Sequence, residues 1–511
     1  MKRRIGGLPG AALASGALFA FAFPPSSGLL PGFLALVALT LCLNKAPSAK
    51  TAFWVGYAFG AGQFLINFFW IANAFAIREG FSYGQGMAAV AALALAMALY
   101  PAAATSAAFY SAQLARNAAT AVLFLPLTWL LAEYARGFFF TGFPWNPIGA
   151  MWGSWLPIAQ LASVIGVYGL SAMTLLVAAI FAKALTAAPA QRKRTIGLGV
   201  VLSLAIYGGG ATLLPGTIQP TFSSLDLVLV QANIAQRDKW KSVLLRDHVR
   251  THVALTNSVP IDPQTQRVVI WPEAAYPYVI DTDPAAQQDL QSALGETTTL
   301  IFGANRFVND PEGRTARNAL FILHEGQIIE HYDKVQLVPF GEYLPLASVL
   351  RQLGLRTFVD ALSGFKKGDG FRVIGAPNIP KFSPLICYEG IFSRTLLNTG
   401  ERPDWILNIS NDAWFGESSG PAQHLNLVRF RAIENGVSVV RATGTGITAI
   451  IDPYGRVTAR IAPFSKNVLH TQLPQPRMSA PVFPSVGTLI PWATILLICA
   501  LILAARHLKH H

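Results

Sequence analysis

Charged side chains are missing from six long stretches of this chain: Ile5–Asn44, Thr51–Ile77, Phe81–Ala115, Gly137–Ala182, Thr195–Ser224 and Met478–Ala505. A helix needs about 20 apolar residues to cross the hydrocarbon core of a bilayer, so runs of this length predict membrane spans. PPSSG at Pro24–Gly28 breaks the first run in two, and Asn117–Ala132 supplies a further, shorter one. The pattern predicts about eight spans, seven before Leu225 and one near the end.

From Gln219 to Pro476 the texture changes. DLVLVQANI, RVVIWPE, TTTLIFGANRF, NALFILHEGQIIEHYDK, FSPLICYEG, DWILNISND and TGITAIIDPYGRV are short β-rich runs bounded by Gly, Pro, Asn and Asp. LLRDHVRTHVALTN, AAQQDLQSALGE and LNLVRFRAIENGVSVV read as helices, and HEGQ and DPYGR as hairpin turns. Strands alternating with helices predict a layered α/β domain. The expected organisation is a polytopic α-helical membrane domain at 1–218, an α/β domain at 219–477, and a last transmembrane helix with its tail at 478–511.

Charge settles what the basic composition means. Only 13% of the 511 residues are charged, against about 25% in a soluble domain. The net charge of +13 would suit a nucleic-acid partner if it lay on the α/β segment, but Leu225–Arg477 carries only +1 of it. The remaining bases sit at Lys2, Arg3, Arg4, Lys45, Lys50, Arg116, Lys183, Arg192, Lys193, Arg194, Arg506 and Lys509, with only Arg78 and Arg136 in the alternate loops. The positive-inside rule then puts both termini in the cytoplasm and the α/β segment outside. Topology accounts for the charge, and no nucleic acid is expected. MKRR followed by apolar residues looks like a secretory signal. Its run continues straight into a second span, however, so the segment is expected to be retained.

Three cysteines cannot make a disulfide framework. Cys42 and Cys499 lie in predicted spans, whereas Cys387 in LICYEG would be a free thiol in an oxidising compartment, where such thiols are usually avoided. That favours a chemical role. Glu273 follows VVIWP, Lys334 closes IIEHYDK and Cys387 closes SPLI, so all three stand at predicted strand ends, where α/β folds assemble sites. A carboxylate can take a thiol proton, and an ammonium favours both thiolate and oxyanion. The plainer readings are a cysteine acting as a small buried hydrophobe and a structural Glu–Lys ion pair. No histidine lies near these motifs in a pattern suggesting a Cys–His dyad.

WPEAAYP, YDKVQLVPFGEYLP, LICYEG and NISNDAWFG together resemble the nitrilase (carbon–nitrogen hydrolase) superfamily. With the flanking spans, LVPFGEY and CYEG look like the bacterial apolipoprotein N-acyltransferase family. The resemblance implies an α-β-β-α sandwich with Glu273 as general base, Lys334 as oxyanion-stabilising cation and Cys387 as nucleophile. It further implies that Glu342, Tyr388 and Glu389 shape the site and that Trp240 lies near the substrate entrance. The expected reaction carries an acyl chain from a membrane phospholipid onto the cysteine as a thioester. From there it passes to the α-amino group of a diacylglyceryl-cysteine at an apolipoprotein's N-terminus, in the bacterial inner membrane. That chemistry calls for no metal or other cofactor. A membrane-tethered amidase acting on a small substrate is the alternative; a transporter is disfavoured because the long runs carry no ionisable residue.

Four further features remain. Asn411, Asp412 and Trp414 are expected to build a loop under the site. Arg429 and Arg431 could meet phosphate headgroups but read rather as solvated helix charges. GFPWNPIGAMWGSW (Gly142–Trp155) reads as a lipid entry path or an interfacial aromatic belt, and HLKHH as a flexible basic tail.

Overall fold

The computed structural model describes residues 7–116, 121–215, 222–260, 266–311, 313–345, 352 and 364–507. Lys2, Arg3, Arg4 and Lys509, the start of the Asn117–Ala132 run, the 218/219 boundary and all but the first residue of HLKHH lie outside the described residues. The chain divides into two compact units, Met1–Thr217 with Pro481–His511, and Ile218–Ala480.

The first unit is helical. Among the described residues four helices are long and apolar enough to cross a membrane: Tyr83–Leu114, Ala162–Thr186, Pro189–Ala211 and Ile490–His507. The pair Ala49–Asn67 and Ile71–Ile77, bent by 45°, makes a fifth if it is one span; Gly7–Ala22 and Leu29–Asn44 are apolar but shorter. The charge-free run Gly137–Ala182 is not a single helix. Its first half forms short helical turns at Phe139–Thr141, Ile148–Ser154 and Leu156–Ala159 before the long helix begins at Ala162. Pro144 and Pro147 lack a backbone donor and disfavour helix in the residue before them, which accounts for the break. Arg136, read above as a loop residue, ends the helix Ala121–Arg136 and is buried, its guanidinium donating to the carbonyls of Phe143 (3.0 Å) and Trp145 (2.7 Å). Small residues let these helices meet closely: a Cβ on Gly16 would lie 1.9 Å from the Phe59 carbonyl oxygen, and one on Gly62 would lie 2.2 Å from that of Leu13.

The second unit is built on two six-stranded sheets. The first contains β1 (Phe222–Gln231), β2 (Arg267–Ile270), β3 (Thr298–Asp310), β4 (Gly313–His324), β5 (Gln327–Asp333) and β12 (Asn467–Pro474), in the order β12-β1-β2-β3-β4-β5. The second contains β6 (Ile374–Ala376), β7 (Ile379–Ile386), β8 (Trp405–Ser410), β9 (Ser438–Thr443), β10 (Ala449–Ile451) and β11 (Val457–Arg460), in the order β11-β10-β9-β8-β7-β6. Both follow one plan. Three parallel strands, β1-β2-β3 or β7-β8-β9, continue into an antiparallel pair, and one further antiparallel strand closes the other edge.

Alternation along each strand assigns its side chains to layers. Leu227, Leu229, Val268, Ile270, Phe382, Ile386, Trp405, Leu407 and Val440, from both sheets, fill one core between them. The opposite faces carry Val228, Val269 and Phe302 on one side and Leu385, Ile406 and Val439 on the other. Helices Leu245–Asn257 and Pro284–Leu294 cover the first face, and Gly420–Asn435 covers the second. Covered on both faces, β2 and β8 are buried throughout, which is why RVVI and WILNIS read as continuous runs rather than alternating ones. The layers are helix, sheet, sheet, helix. One predicted element is corrected: LNLVRFRAIENGVSVV is not all helix, because Gly436 (φ 63°) ends the helix and SVV enters β9.

Candidate active site

The three candidate residues leave three different strands, two of the first sheet and one of the second. Glu273 lies three residues beyond β2, Lys334 directly follows β5, and Cys387 directly follows β7. Cys387 is the turn itself: it has φ 53°, sits half-buried, and opens the short helical turn Cys387–Ile391. A non-glycine residue held there costs about 1–3 kcal/mol and requires surroundings that fix it. Those surroundings are tight, since a Cβ on Gly390 would come within 2.9 Å of Val428.

Lys334 is buried between two carboxylates. Its Nζ lies 2.8 Å from Glu342 Oε1 and 3.5 Å from Glu273 Oε1. Asn318 Nδ2 donates to the same two oxygens, at 2.9 Å and 2.7 Å, so one amide spans both acids. The main-chain N–H of Asn411 donates to Glu273 Oε2 at 2.7 Å, and that of Val338 to Glu342 Oε2 at 2.8 Å. Burial works against every charge here, yet the partners prevail for two of them. Desolvation pushes the Glu273 carboxyl up, but Lys334, Asn318, Lys239 and Asn411 together bring it below its ordinary value. For Lys334, desolvation is outweighed by Glu342, Glu273 and Cys387, and its ammonium is held well above the ordinary range. The thiol goes the other way. Burial first, and Glu273 second, push Cys387 up to about 12, against the pull of Lys334 and a hydrogen bond with Ser410. The resting site is therefore carboxylate, ammonium and neutral thiol.

Glu389 joins the two strand ends that matter. One oxygen accepts the main-chain amides of Val335 (2.7 Å) and Gln336 (2.9 Å), just past Lys334; the other accepts that of Ile386 (2.7 Å), just before Cys387. The Tyr332 hydroxyl completes the set at 3.1 Å and 3.2 Å. Desolvation pushes this fully buried acid up to about 7 while the amides pull it back. Tyr388 packs edge-on against Phe392, ring centroids 5.0 Å apart, and Trp240 stands 46% exposed.

Several participants escape a reading of the sequence. Asn318 is unremarkable in NALFILH, and only its place in β4 brings it between the acids. Asn411, read as loop, donates its amide to Glu273 and its side chain to Gln236 Oε1 at 2.8 Å. Lys239 is buried, and its Nζ donates to the Glu273 carbonyl at 3.1 Å. A histidine is also present: His424 reaches the carbonyl of Cys387 (3.3 Å), not its thiol, and pairs with Asp412 (3.2 Å), which Arg441 holds at 2.7 Å. Arg431 corrects the expectation of a solvated charge, being 1% exposed and 2.9 Å from Glu434. Arg429 is half-buried and donates to the Gly455 carbonyl at 2.8 Å.

Residues 15–180 match the apolipoprotein N-acyltransferase N-terminal domain family, and residues 228–480 the carbon-nitrogen hydrolase family. Proteins named apolipoprotein N-acyltransferase are similar along almost the whole chain. That of Rhodopseudomonas palustris is 32% identical, that of Brucella suis 34% and that of Brucella melitensis 35%, each over 97% of this chain and 94% of the relative. Among solved structures, an amidase from Nesterenkonia sp. aligns at 18% identity with a TM-score of 0.34, over 51% of this chain and 94% of that one, a likeness too remote to bear on the chemistry.

Proposed function

The chain belongs to the apolipoprotein N-acyltransferase family, and from that premise we propose that Glu273, Lys334 and Cys387 move a fatty acyl chain from a phospholipid to the N-terminal amine of a diacylglyceryl-apolipoprotein. The observation that carries this reading is the convergence of the three residues from separate strand ends: Lys334 Nζ lies 3.5 Å from Glu273 Oε1, and Glu389 ties the main chain just past Lys334 to the main chain just before Cys387.

A thiol near 12 beside an ionised carboxylate does not give up its proton at rest. The proton moves to Glu273 as sulfur bonds to the ester carbonyl carbon, because the negative charge then resides on the carbonyl oxygen, where the Lys334 ammonium stabilises it. When the tetrahedral adduct collapses, the ester C–O bond breaks and the protonated Glu273 supplies the proton to the departing glycerol oxygen. A thioester on Cys387 remains. In the second half the acceptor amine attacks that carbonyl, Glu273 takes a proton from the nitrogen, and the C–S bond breaks. The sulfur recovers its proton from Glu273, leaving an amide and the starting enzyme. A covalent intermediate of this kind gives ping-pong kinetics.

Glu342 holds the Lys334 ammonium in place, Glu389 fixes the elbow, Tyr388 supports it, and Trp240 stands at the substrate entrance. The membrane domain (1–218, seven spans) and the last helix (478–511) anchor the catalytic domain (219–477) on the periplasmic side of the inner membrane, with both termini in the cytoplasm. Both lipids then arrive by lateral diffusion. The decisive experiment supplies purified protein in phospholipid with a diacylglyceryl peptide, once with a free N-terminus and once acetylated. The free amine should yield triacylated peptide, whereas the blocked one should leave the protein stalled as acyl-enzyme. Release of free fatty acid at equal rates in both would mark a hydrolase and defeat the proposal.

A further inference from the structure

The segment Gln231–Trp240 closes a ring of hydrogen bonds around Glu273. Asn411 donates its main-chain N–H to the Glu273 carboxylate and its side-chain amide to Gln236 Oε1. Three residues on, Lys239 Nζ returns to the Glu273 carbonyl at 3.1 Å. Glu273 is thus gripped at its carboxylate through Asn411 and at its main chain through Lys239. Both grips lead to the stretch that presents Trp240. Lys239 is only 9% exposed, and a buried ammonium is costly to maintain for the one carbonyl that it reaches among the described residues. Its placement has an electrostatic consequence: its charge acts on both Glu273 and Cys387.

We propose that Lys239 is a second functional cation of this site, a positioning residue that orients Glu273 through its main chain and whose charge favours the ionised carboxylate and the developing thiolate. Lys334 sits on the carboxylate side, between Glu273 and Glu342. Lys239 approaches from the main-chain side, in a cleft lined by His248, His252, Ala274 and Asn411. Among the described residues the charged and titratable groups facing Glu273 are Lys334, Lys239 and Cys387, with Glu342 sharing Asn318. Those facing Lys239 are Glu273, Cys387, His248 and His252. Burial brings Lys239 down to about 8 and His252 down to about 4, so at neutral pH Lys239 is largely the charged member of that pair.

The inference rests on Glu273 acting as base, so its test carries a control for that role. Full-length protein in detergent is alkylated with iodoacetamide from pH 3 to 9, a range that reaches below the ordinary carboxylate value, and modification of the peptide containing Cys387 is followed by mass spectrometry. Following that one peptide keeps Cys42 and Cys499 out of the readout, and Lys239→Met, Lys239→Arg and Glu273→Gln are compared with the parent. In Lys239→Met the acid-side midpoint should move up by about one pH unit, since an opposite charge nearby has been withdrawn. The rate at pH 7, far above that midpoint, should fall roughly tenfold for a separate reason: the withdrawn charge no longer favours the thiolate, and one pKa unit on the thiol is a factor of ten in thiolate. Lys239→Arg should restore the midpoint. A midpoint does not depend on the folded fraction, so partial misfolding cannot imitate the result. An unmoved midpoint in Lys239→Met, or equal loss in Met and Arg, would overturn the role of the charge. An unaffected profile in Glu273→Gln would instead overturn the base itself.

Discussion

Glu389→Gln isolates the contribution of geometry to this site. The substitution keeps size and shape but turns one acceptor oxygen into an NH2 donor. If the NH2 replaced Oε1 it would confront two amides, those of Val335 and Gln336; if it replaced Oε2 it would confront the single amide of Ile386. The Tyr332 hydroxyl, within 3.2 Å of either oxygen, can turn round and accept from it. The second arrangement therefore wins, and the orphaned N–H is the one beside Cys387. Above pH 7, where Glu389 is ionised, losing a charge-assisted bond and leaving a buried amide unpartnered costs about 3 kcal/mol. Much of that cost falls on the strained turn that aims the sulfur. If all of it appeared in the barrier, acylation would slow by roughly 100-fold. Tyr332→Phe removes only the hydroxyl and should cost about 1 kcal/mol. The assay is the rate of acyl-enzyme formation on phospholipid vesicles, measured beside a thermal melt. Wild-type acylation in Glu389→Gln, or equal damage in Tyr332→Phe, would refute the view that three amides fix this elbow.

Other expectations follow from the same coordinates. Cys387→Ser should form no detectable acyl-enzyme, because an alcohol is harder still to deprotonate than a thiol near 12; acyl ester on the serine at a comparable rate would contradict this. Gly303→Ala should cripple acylation, since the new Cβ would lie 2.5 Å from Ala274 N and 2.6 Å from Glu273 Cα, and the proposed base must move; unchanged acylation kinetics would contradict that role for Glu273. Asp412 is fully buried, and Arg441 and His424 overcome its desolvation to hold it well below the usual carboxylate range. Its folded value is depressed, so its stabilisation is present above the unfolded value near pH 4 and is lost as pH falls through the folded one. Denaturation of Asp412→Asn should accordingly show a deficit of about 3 kcal/mol at pH 7 that narrows below pH 4, and a deficit independent of pH would contradict the assignment.

The sequence announces those parts of the molecule that local chemistry controls. VVIWP, IIEHYDK and SPLI end as strands where their hydrophobic runs meet polar residues, and Glu273, Lys334 and Cys387 stand there. The hairpins at Glu325–Gly326 and Tyr454–Gly455 follow from their turn residues. What escapes is long-range. The shared plan of the two sheets lies in strand pairing, and residue identity does not repeat with it. β9 is hidden because only Gly436 and Val437 separate it from the helix before it. That helix also carries Gln423, His424, Asn426, Arg431 and Glu434, all buried, so its composition imitates a solvated surface. Asn318, Asn411 and Lys239 are ordinary polar residues until the fold closes them around Glu273. In the membrane unit, charge-free length overstates helix length wherever Pro and Gly turn the chain, as between Gly142 and Trp155.

Intact-mass measurement of the purified protein after exposure to phospholipid of a single defined chain length, with no acceptor present, asks the central question directly. The account predicts one added acyl group, mapping to the peptide that contains Cys387, released by hydroxylamine and absent in Cys387→Ala. An unmodified mass, or an acyl group that persists in Cys387→Ala, would contradict it.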